Sequence, residues 1–335
     1  MSSEDYATLV ADLRRPLDAA ASDRTTELVR AATLAANGHN TQPWIFEIGD
    51  GRIAIRPELG RRTPVVDPDD HHLYASLGCA AENLVLAATV YGLASEVESS
   101  ADGIEIDLIP GDVELSPLVR QIVVRQCSRV EYDGRKLAAR DLDRLAEAGR
   151  RDGVECRVFE SDGEMAKLCD LVVEANTEQL EDKAFISELC AWIRFNAGQA
   201  MASRDGLYSG VMGSPSLPAW LGRRVLPLVL RPKSESEKTA AQVRSSAGLA
   251  LFCAREDSPR GWIEAGRAFQ QFALVATEMG LKHAFVNQPV EVPRFRPQVA
   301  ELAGFAGRRP NLLVRFGYGP RATDSLRRPS HAVIR

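Results

Sequence analysis

Residues 78–93 read GCAAENLVLAATVYGL, and residues 266–281, at an offset of 188, read GRAFQQFALVATEMGL. Seven of the sixteen aligned positions are identical: Gly78/Gly266, Ala80/Ala268, Leu86/Leu274, Ala88/Ala276, Thr89/Thr277, Gly92/Gly280 and Leu93/Leu281. Most of the others exchange one apolar residue for another. Small and apolar side chains run around nearly the whole circumference of each stretch, which predicts a buried helix. The leading glycines allow a close helix–helix approach, and Gly92 and Gly280 stand where a helix stops on a left-handed residue. A β-like stretch follows each copy, 95–97 with 104–109 after the first and 283–286 after the second. Self-similarity at a fixed offset predicts an internal duplication; a chance likeness of two Ala-rich helices is the plainer alternative.

Outward from these helices, the 335 residues allow two ordinary domains or one large one. Hydrophobic residues at 45% and charged residues at 26% are the balance of a soluble globular protein. The net charge of -5 points to neither a nucleic acid nor an anionic membrane. The N-terminal MSSEDYATLVADLRRPLDAA does not read as a signal peptide, and apolar runs such as 84–90 are too short to span a bilayer. The expectation is a cytoplasmic protein. The six cysteines are scattered, with no Cys-x-x-Cys pair, as reduced thiols rather than disulfides or a zinc site.

Periodicity predicts helices near 5–20, 25–36, 71–91, 116–125, 138–150, 162–179, 182–195, 261–279 and 296–303. Strands are predicted near 44–48, 52–57, 104–109, 155–159, 248–254, 283–286 and 311–316. This is an α+β pattern. Residues 196–240 show no clean period but carry Trp, Tyr, Met and Leu, which favours a packed lid over a disordered loop. Asp69, Asp70, His71 and His72 in succession suggest a metal or, more simply, a solvated helix N-terminus; the second reading is preferred and no metal site is assigned.

Residues 35–44, AANGHNTQPW, separate an Ala-rich helix from a strand. Asn, Gly, Asn, Thr, Gln and Pro in succession favour turns and offer amides that both donate and accept hydrogen bonds. The edge of an isoalloxazine ring, with its alternating carbonyls and nitrogens, needs that mixture; an ordinary polar turn is the alternative.

The loop NTQPW after an Ala-rich helix resembles the signature of the nitroreductase family. The resemblance implies an α+β nitroreductase-like fold, FMN as cofactor, and a loop in which Asn37, Gly38, Asn40 and Gln42 line the flavin. A second hallmark, Arg-x-Ser/Thr-x-Arg/Lys, resembles Arg125-Gln126-Cys127-Ser128-Arg129. It implies Arg125 on the phosphate and Arg129 near the pyrimidine edge, where a fixed cation stabilises negative charge. Cys127 stands at the hydroxyl position and donates only weakly; Ser128 is the neighbouring hydroxyl. The stretch after the second repeat helix implies ring contacts at Phe285, Val286, Asn287 and Gln288, including a backbone N–H toward flavin N5. In the tail, Arg327 and Arg328 are implied on the phosphate, for which paired arginines suit.

The loop motif occurs only in the first half and the other motifs only later, which resembles the family's single-chain duplicated branch, the Acg-type proteins. Expected domains are 1–115 and 116–335, two pseudo-symmetric halves that form one site, with a lid inserted around 180–240. Glu188, Trp192, Arg194 and Asp205-Gly206-Leu207 belong to that lid region. Such a chain can be a monomer, its dimer-like interface being internal. The family's reaction is NAD(P)H-dependent reduction of nitroaromatic or quinone acceptors in ping-pong fashion, which requires no catalytic side chain, and none is assigned. A lid-covered protein that sequesters or stores FMN is the competing expectation.

Overall fold

The computed structural model describes residues 3–335; Met1 and Ser2, the start of the N-terminal stretch read above, lie outside the described residues. Helices α1 (Ser3–Leu13) and α2 (Arg24–Thr33) precede a hairpin of β1 (Trp44–Gly49) and β2 (Arg52–Pro57). Helix α3 (His71–Ala88) leads to a second hairpin, β3 (Leu93–Ser100) and β4 (Gly103–Pro110). After the short α4 (Val119–Ile122), α5 (Ala139–Ala148) and β5 (Val154–Phe159) begin a second sheet. A long insertion follows: α6 (Asp162–Glu181), α7 (Lys183–Trp192), β6 (Ile193–Arg194), α8 (Ala197–Ser203), β7 (Leu207–Tyr208), α9 (Ala219–Val229) and α10 (Pro232–Arg244). The sheet resumes with β8 (Gly248–Ala254), α11 (Pro259–Glu278), β9 (Lys282–Phe285), α12 (Gln288–Glu291), α13 (Arg296–Leu302) and β10 (Leu312–Gly317).

The strand orders are β1-β2-β4-β3 and β5-β8-β10-β9. Both sheets are antiparallel throughout. Each therefore runs in the same spatial succession, with one long helix between its second and third strands in sequence. Those helices, α3 and α11, carry the two similar stretches, and they pack on each other at the centre of the main core. A Cβ on Gly78 would stand 1.9 Å from the Ile263 carbonyl oxygen, and one on Gly266 1.9 Å from that of Ala75. With the offset of 188, these two contacts exchange into each other.

The sheets differ in what covers them. On the first, Phe46, Ile53, Ile55, Ile104 and Ile106 face the core, while Arg52, Arg56, Glu47, Glu105 and Asp107 form ion pairs on the outer face. The second is covered twice. Ala250, Phe252 and Val314 join the core around α11. Leu249, Leu251 and Leu313 join a separate core with Leu168 and Val172 of α6 and Val243 of α10. A strand buried on both faces reads as a continuous apolar run, as GLALFCA does in β8, while one-sided β2 alternates as RIAIRP.

Three expectations are corrected. The first helix stops at Leu13, just before Pro16 and the residue it restricts. The helix expected at 116–125 shortens to α4. The aperiodic stretch 196–240 contains helices α8 and α9 and most of α10. In α10 only Ser236, Ala240 and Val243 are buried; that stripe is too small and too polar to register as a helical period, yet it seats the helix on α6.

Candidate active site

The loop that follows α2 is wound unusually tightly. His39, Asn40 and Gln42 all have positive φ, at 47°, 54° and 53°. Left-handed backbone at residues other than glycine is sparsely populated and is held only by surrounding bonds. Those bonds are present. Asn37 Oδ1 accepts from Gln42 N at 2.9 Å. Gln42 Nε2 donates to Arg204 O at 2.9 Å, and Gln42 Oε1 accepts from Arg328 N at 2.7 Å. Asn40 Nδ2 donates to Gly206 O at 3.1 Å and Leu326 O at 3.2 Å, while Gly206 N donates to Asn40 O at 3.1 Å. The inserted segment is thus tied to the loop. Asp205 reinforces the tie by pairing with Arg61 and, at 2.7 Å, with Arg194. Glu188 of α7 accepts from Val65 N and Val66 N, and the guanidinium groups of Arg61 and Arg194 both lie over the Trp192 ring.

Beside the loop is a small polar recess of about 60 Å³. Next to it lies a larger chamber of about 430 Å³. The two share Ala36, Asn37, Arg129, Leu207 and Phe285. Arg14, Arg125 and Arg327 line the recess, brought there by α1, the segment after α4 and the C-terminal tail. All three are nearly excluded from solvent. Arg327 Nε donates to Thr33 O at 2.8 Å, Arg125 Nη2 to Leu34 O at 2.9 Å, and Arg327 Nη2 to Ala35 O at 3.3 Å. These carbonyls end α2, where the helix dipole is negative.

That dipole and one carboxylate are the local counterweights. Asp324 approaches Arg14 Nε at 3.2 Å. Burial lowers the Arg14 guanidinium to about 10, with Asp324 opposing and Arg125 adding to the shift. Burial together with Arg14 and Arg125 lowers Arg327 to about 9, and burial lowers Arg125 as well. Arg125 Nε and Nη1 are buried with no hydrogen-bond partner in the protein. Buried charged donors without partners are costly, and an anion in the recess removes that cost. The donor set fits the phosphate of a flavin mononucleotide.

The expected residues divide accordingly. Asn37, Asn40, Arg125, Cys127, Arg129, Phe285 and Arg327 line the recess. Asn37, Gly38, Arg129, Phe285, Val286, Asn287 and Gln288 line the chamber. Asn40 Oδ1 and Gln288 Oε1 are buried and unpartnered. Asn287 Oδ1 is committed to Leu313 N at 2.7 Å. Gln42 is fully buried and lines neither space; its amide braces the loop instead. Arg328 is a correction to the expected arginine pair. Its guanidinium turns to Glu58, Gln42 O and Ala332 O, and it borders neither space. Adjacent residues of an extended tail point to opposite sides, so only Arg327 reaches the recess. Ser128 is fully buried and lines neither space. Arg14 is not among the expected residues; it lies in the turn that ends α1, far from every motif, and only folding brings it to the recess.

At the chamber's far end, the expected solvated helix start is also corrected. His71 is 1% exposed. Asp67, His71 and His72 place ligand-type atoms within 4.8 Å of one another, but those of Asp67 and His71 already have partners. Asp67 accepts from His72 N and Leu73 N, both at 3.0 Å, and so satisfies free N–H groups of the first turn of α3 in place of the N-cap residue Asp70, whose side chain makes no cap bond. Burial raises its carboxyl to about 6. Asn311 Oδ1 accepts from Ala254 N, which turns its Nδ2 toward His71 Nε2 at 3.0 Å. His71 Nε2 is therefore an acceptor already in use.

No family model matches the chain. It is 25% identical over 312 residues to proteins of two Mycobacterium tuberculosis strains named as candidate NAD(P)H nitroreductases, covering 88% of this chain and 85% of theirs. Among solved structures, an FMN-dependent nitroreductase from Mycobacterium smegmatis in complex with NADPH is 15% identical. That match has a TM-score of 0.40 and covers 61% of this chain and 93% of that one. A nitroreductase with bound FMN from Bacteroides fragilis is 13% identical, with a TM-score of 0.38 and coverage of 64% and 95%.

Proposed function

We propose, from the premise that the chain belongs to the nitroreductase-like family, that it is an FMN-dependent oxidoreductase using NAD(P)H. The observation that carries this reading is the pair of unpartnered donors Nε and Nη1 of Arg125, buried beside Arg14 and Arg327 in a recess next to a flavin-sized chamber. Arg125, Arg327 and Arg14 hold the phosphate. Asn37, Gly38, the 285–288 segment and Arg129 face the ring, with Arg129 supplying positive charge. Its guanidinium has no ion pair among the described residues, so that charge is unspent. The flavin supplies two-electron transfer between nicotinamide and an acceptor of nitroaromatic or quinone type. The protein's share is orientation, charge and exclusion of water, with no side-chain acid or nucleophile.

In this reading residues 1–115 and 116–335 are two halves of one duplicated unit that together form a single site. The chain can act as a monomer because their interface, centred on α3 and α11, is internal. The segment 204–230 acts as the lid, a narrower span than 180–240, because α10 serves the core on α6.

A second reading is sequestration of FMN, favoured by the double tie of Asn40 to Gly206 and Asp205 to Arg61 and Arg194. A lid held shut keeps nicotinamide off the ring. Anaerobic stopped-flow mixing with NADH and NADPH separates the two. Rapid bleaching of the flavin supports the reductase; bleaching by dithionite alone supports storage. A purified chain that is colourless and takes up no FMN overturns both.

A further inference from the structure

Between Asp205 and Glu235 the chain has no acidic residue, while Arg223, Arg224, Arg231 and Lys233 are basic, in a protein of net charge -5. Helix α9 occupies the middle of this stretch. Trp220, Arg223, Arg224, Pro227 and Leu228 recur at spacings of three and four, which places them along one side of the helix, and all five are exposed, as is Arg231 just beyond its end. Trp220 is 65% exposed and Leu228 72%. None of the four cations forms an ion pair among the described residues. The other side of α9 is seated: a Cβ on Gly222 would stand 2.2 Å from the Phe195 ring, and Leu226 packs against the cluster of Ile193, Phe195 and Leu207. Leu226 and Val229 also wall the large chamber.

A solvent-facing helix normally hides its tryptophan and mixes both signs of charge. An outer face of Trp, Leu and Pro interleaved with unpaired arginines is instead the composition of a helix lying in a lipid interface. There the indole sits at headgroup depth and the cations meet anionic lipid. We propose that the outer face of α9 docks on the surface of an anionic lipid bilayer. Its charge complements such a surface, whereas a second copy of this acidic chain would have to bring an acidic patch to it. The whole-chain charge conceals this local excess. Resting on the FMN reading above, docking brings the wall of the chamber to the membrane, so a lipophilic quinone dissolved there is the acceptor class it serves.

The test uses the full-length chain and is independent of its flavin. Co-sedimentation is measured with vesicles of phosphatidylcholine alone and of phosphatidylcholine with phosphatidylglycerol. Binding is expected to the anionic vesicles, to fall with added salt, and to be weaker by about tenfold or more on the neutral ones. The R223A/R224A and W220A/L228A variants are each expected to lose about tenfold or more, with far-UV circular dichroism and melting temperature as in the parent. Equal failure to bind both vesicle types overturns the proposal, as does undiminished binding by both variants. Self-association abolished by W220A/L228A, without vesicle binding, assigns the face to a second copy and also overturns it.

Discussion

Gly78 and Ile263 meet backbone to backbone: a Cβ on Gly78 would stand 1.9 Å from the carbonyl oxygen of Ile263. Its counterpart, Gly266 against Ala75, makes the same contact from the other helix. No rotamer change relieves a clash with a carbonyl, so α3 and α11 must separate to admit even a methyl group. G78A or G266A is expected to lower stability by at least about 1–3 kcal/mol, the usual cost of overpacking a core. Urea denaturation at neutral pH measures it; a midpoint equal to the parent's would show that the helices cross with room to spare.

The buried arginines are expected to separate by position rather than by motif. R125A and R327A should each weaken FMN binding by about 1.5–3 kcal/mol, the worth of a hydrogen bond to a charged group. R14A should weaken it too, although Arg14 lies in no motif. R328A should cost less, because that guanidinium serves Glu58. Fluorescence titration of the apoprotein with FMN gives all four constants, and equal losses at Arg327 and Arg328 would contradict the placement of the tail.

Asp205 ties the inserted segment down through Arg61 and Arg194. Burial opposes its charge, but hydrogen bonds from Arg194 and Arg61 outweigh burial and hold the carboxyl below its ordinary value. The tie is therefore intact at neutral pH and released only in acid, as pH falls through that lowered value. D205N removes the charge at any pH. Faster proteolysis within 204–230 and faster flavin reduction by NAD(P)H are expected; proteolysis at the parent's rate would show that other contacts hold the segment.

Glu27 contributes an acid-sensitive term to folding. Burial raises its carboxyl, but hydrogen bonds from Arg15 and Arg30 overcome this and bring it from 4.5 to about 2. A depressed acid stabilises the fold above its unfolded value and loses that contribution as pH falls toward the folded one. E27Q is expected to destabilise the protein at neutral pH and to flatten the fall in stability between those two values. Thermal melts across that range check the slope, and parallel curves for parent and variant would remove Glu27 from the account.

What was legible in the sequence was whatever a short window contains. Alternation marked β2, the continuous apolar run marked β8, and small residues on every side marked α3 and α11 as buried. The AANGHNTQPW turn announced itself through Asn, Gly and Pro, whose backbone preferences are local, and residues 37–40 do border the candidate site. Less of the insertion was legible, because α10 is held by a few small side chains whose partner, α6, lies more than fifty residues earlier in the chain.

The sequence by itself determined most of the elements outside the insertion and the similarity of the two core helices, since periodicity and propensity act over a few residues. Only the tertiary structure decided that Arg14 joins Arg125 and Arg327, that Arg328 turns away to Glu58, and that Gln42 braces the loop instead of facing the cavity. A side chain's role at a site depends on which groups reach it from distant parts of the chain and on whether burial leaves its hydrogen bonds unmade. Neither is encoded in the residue's own neighbourhood; both come into being when the helices, sheets and tail close around the same space.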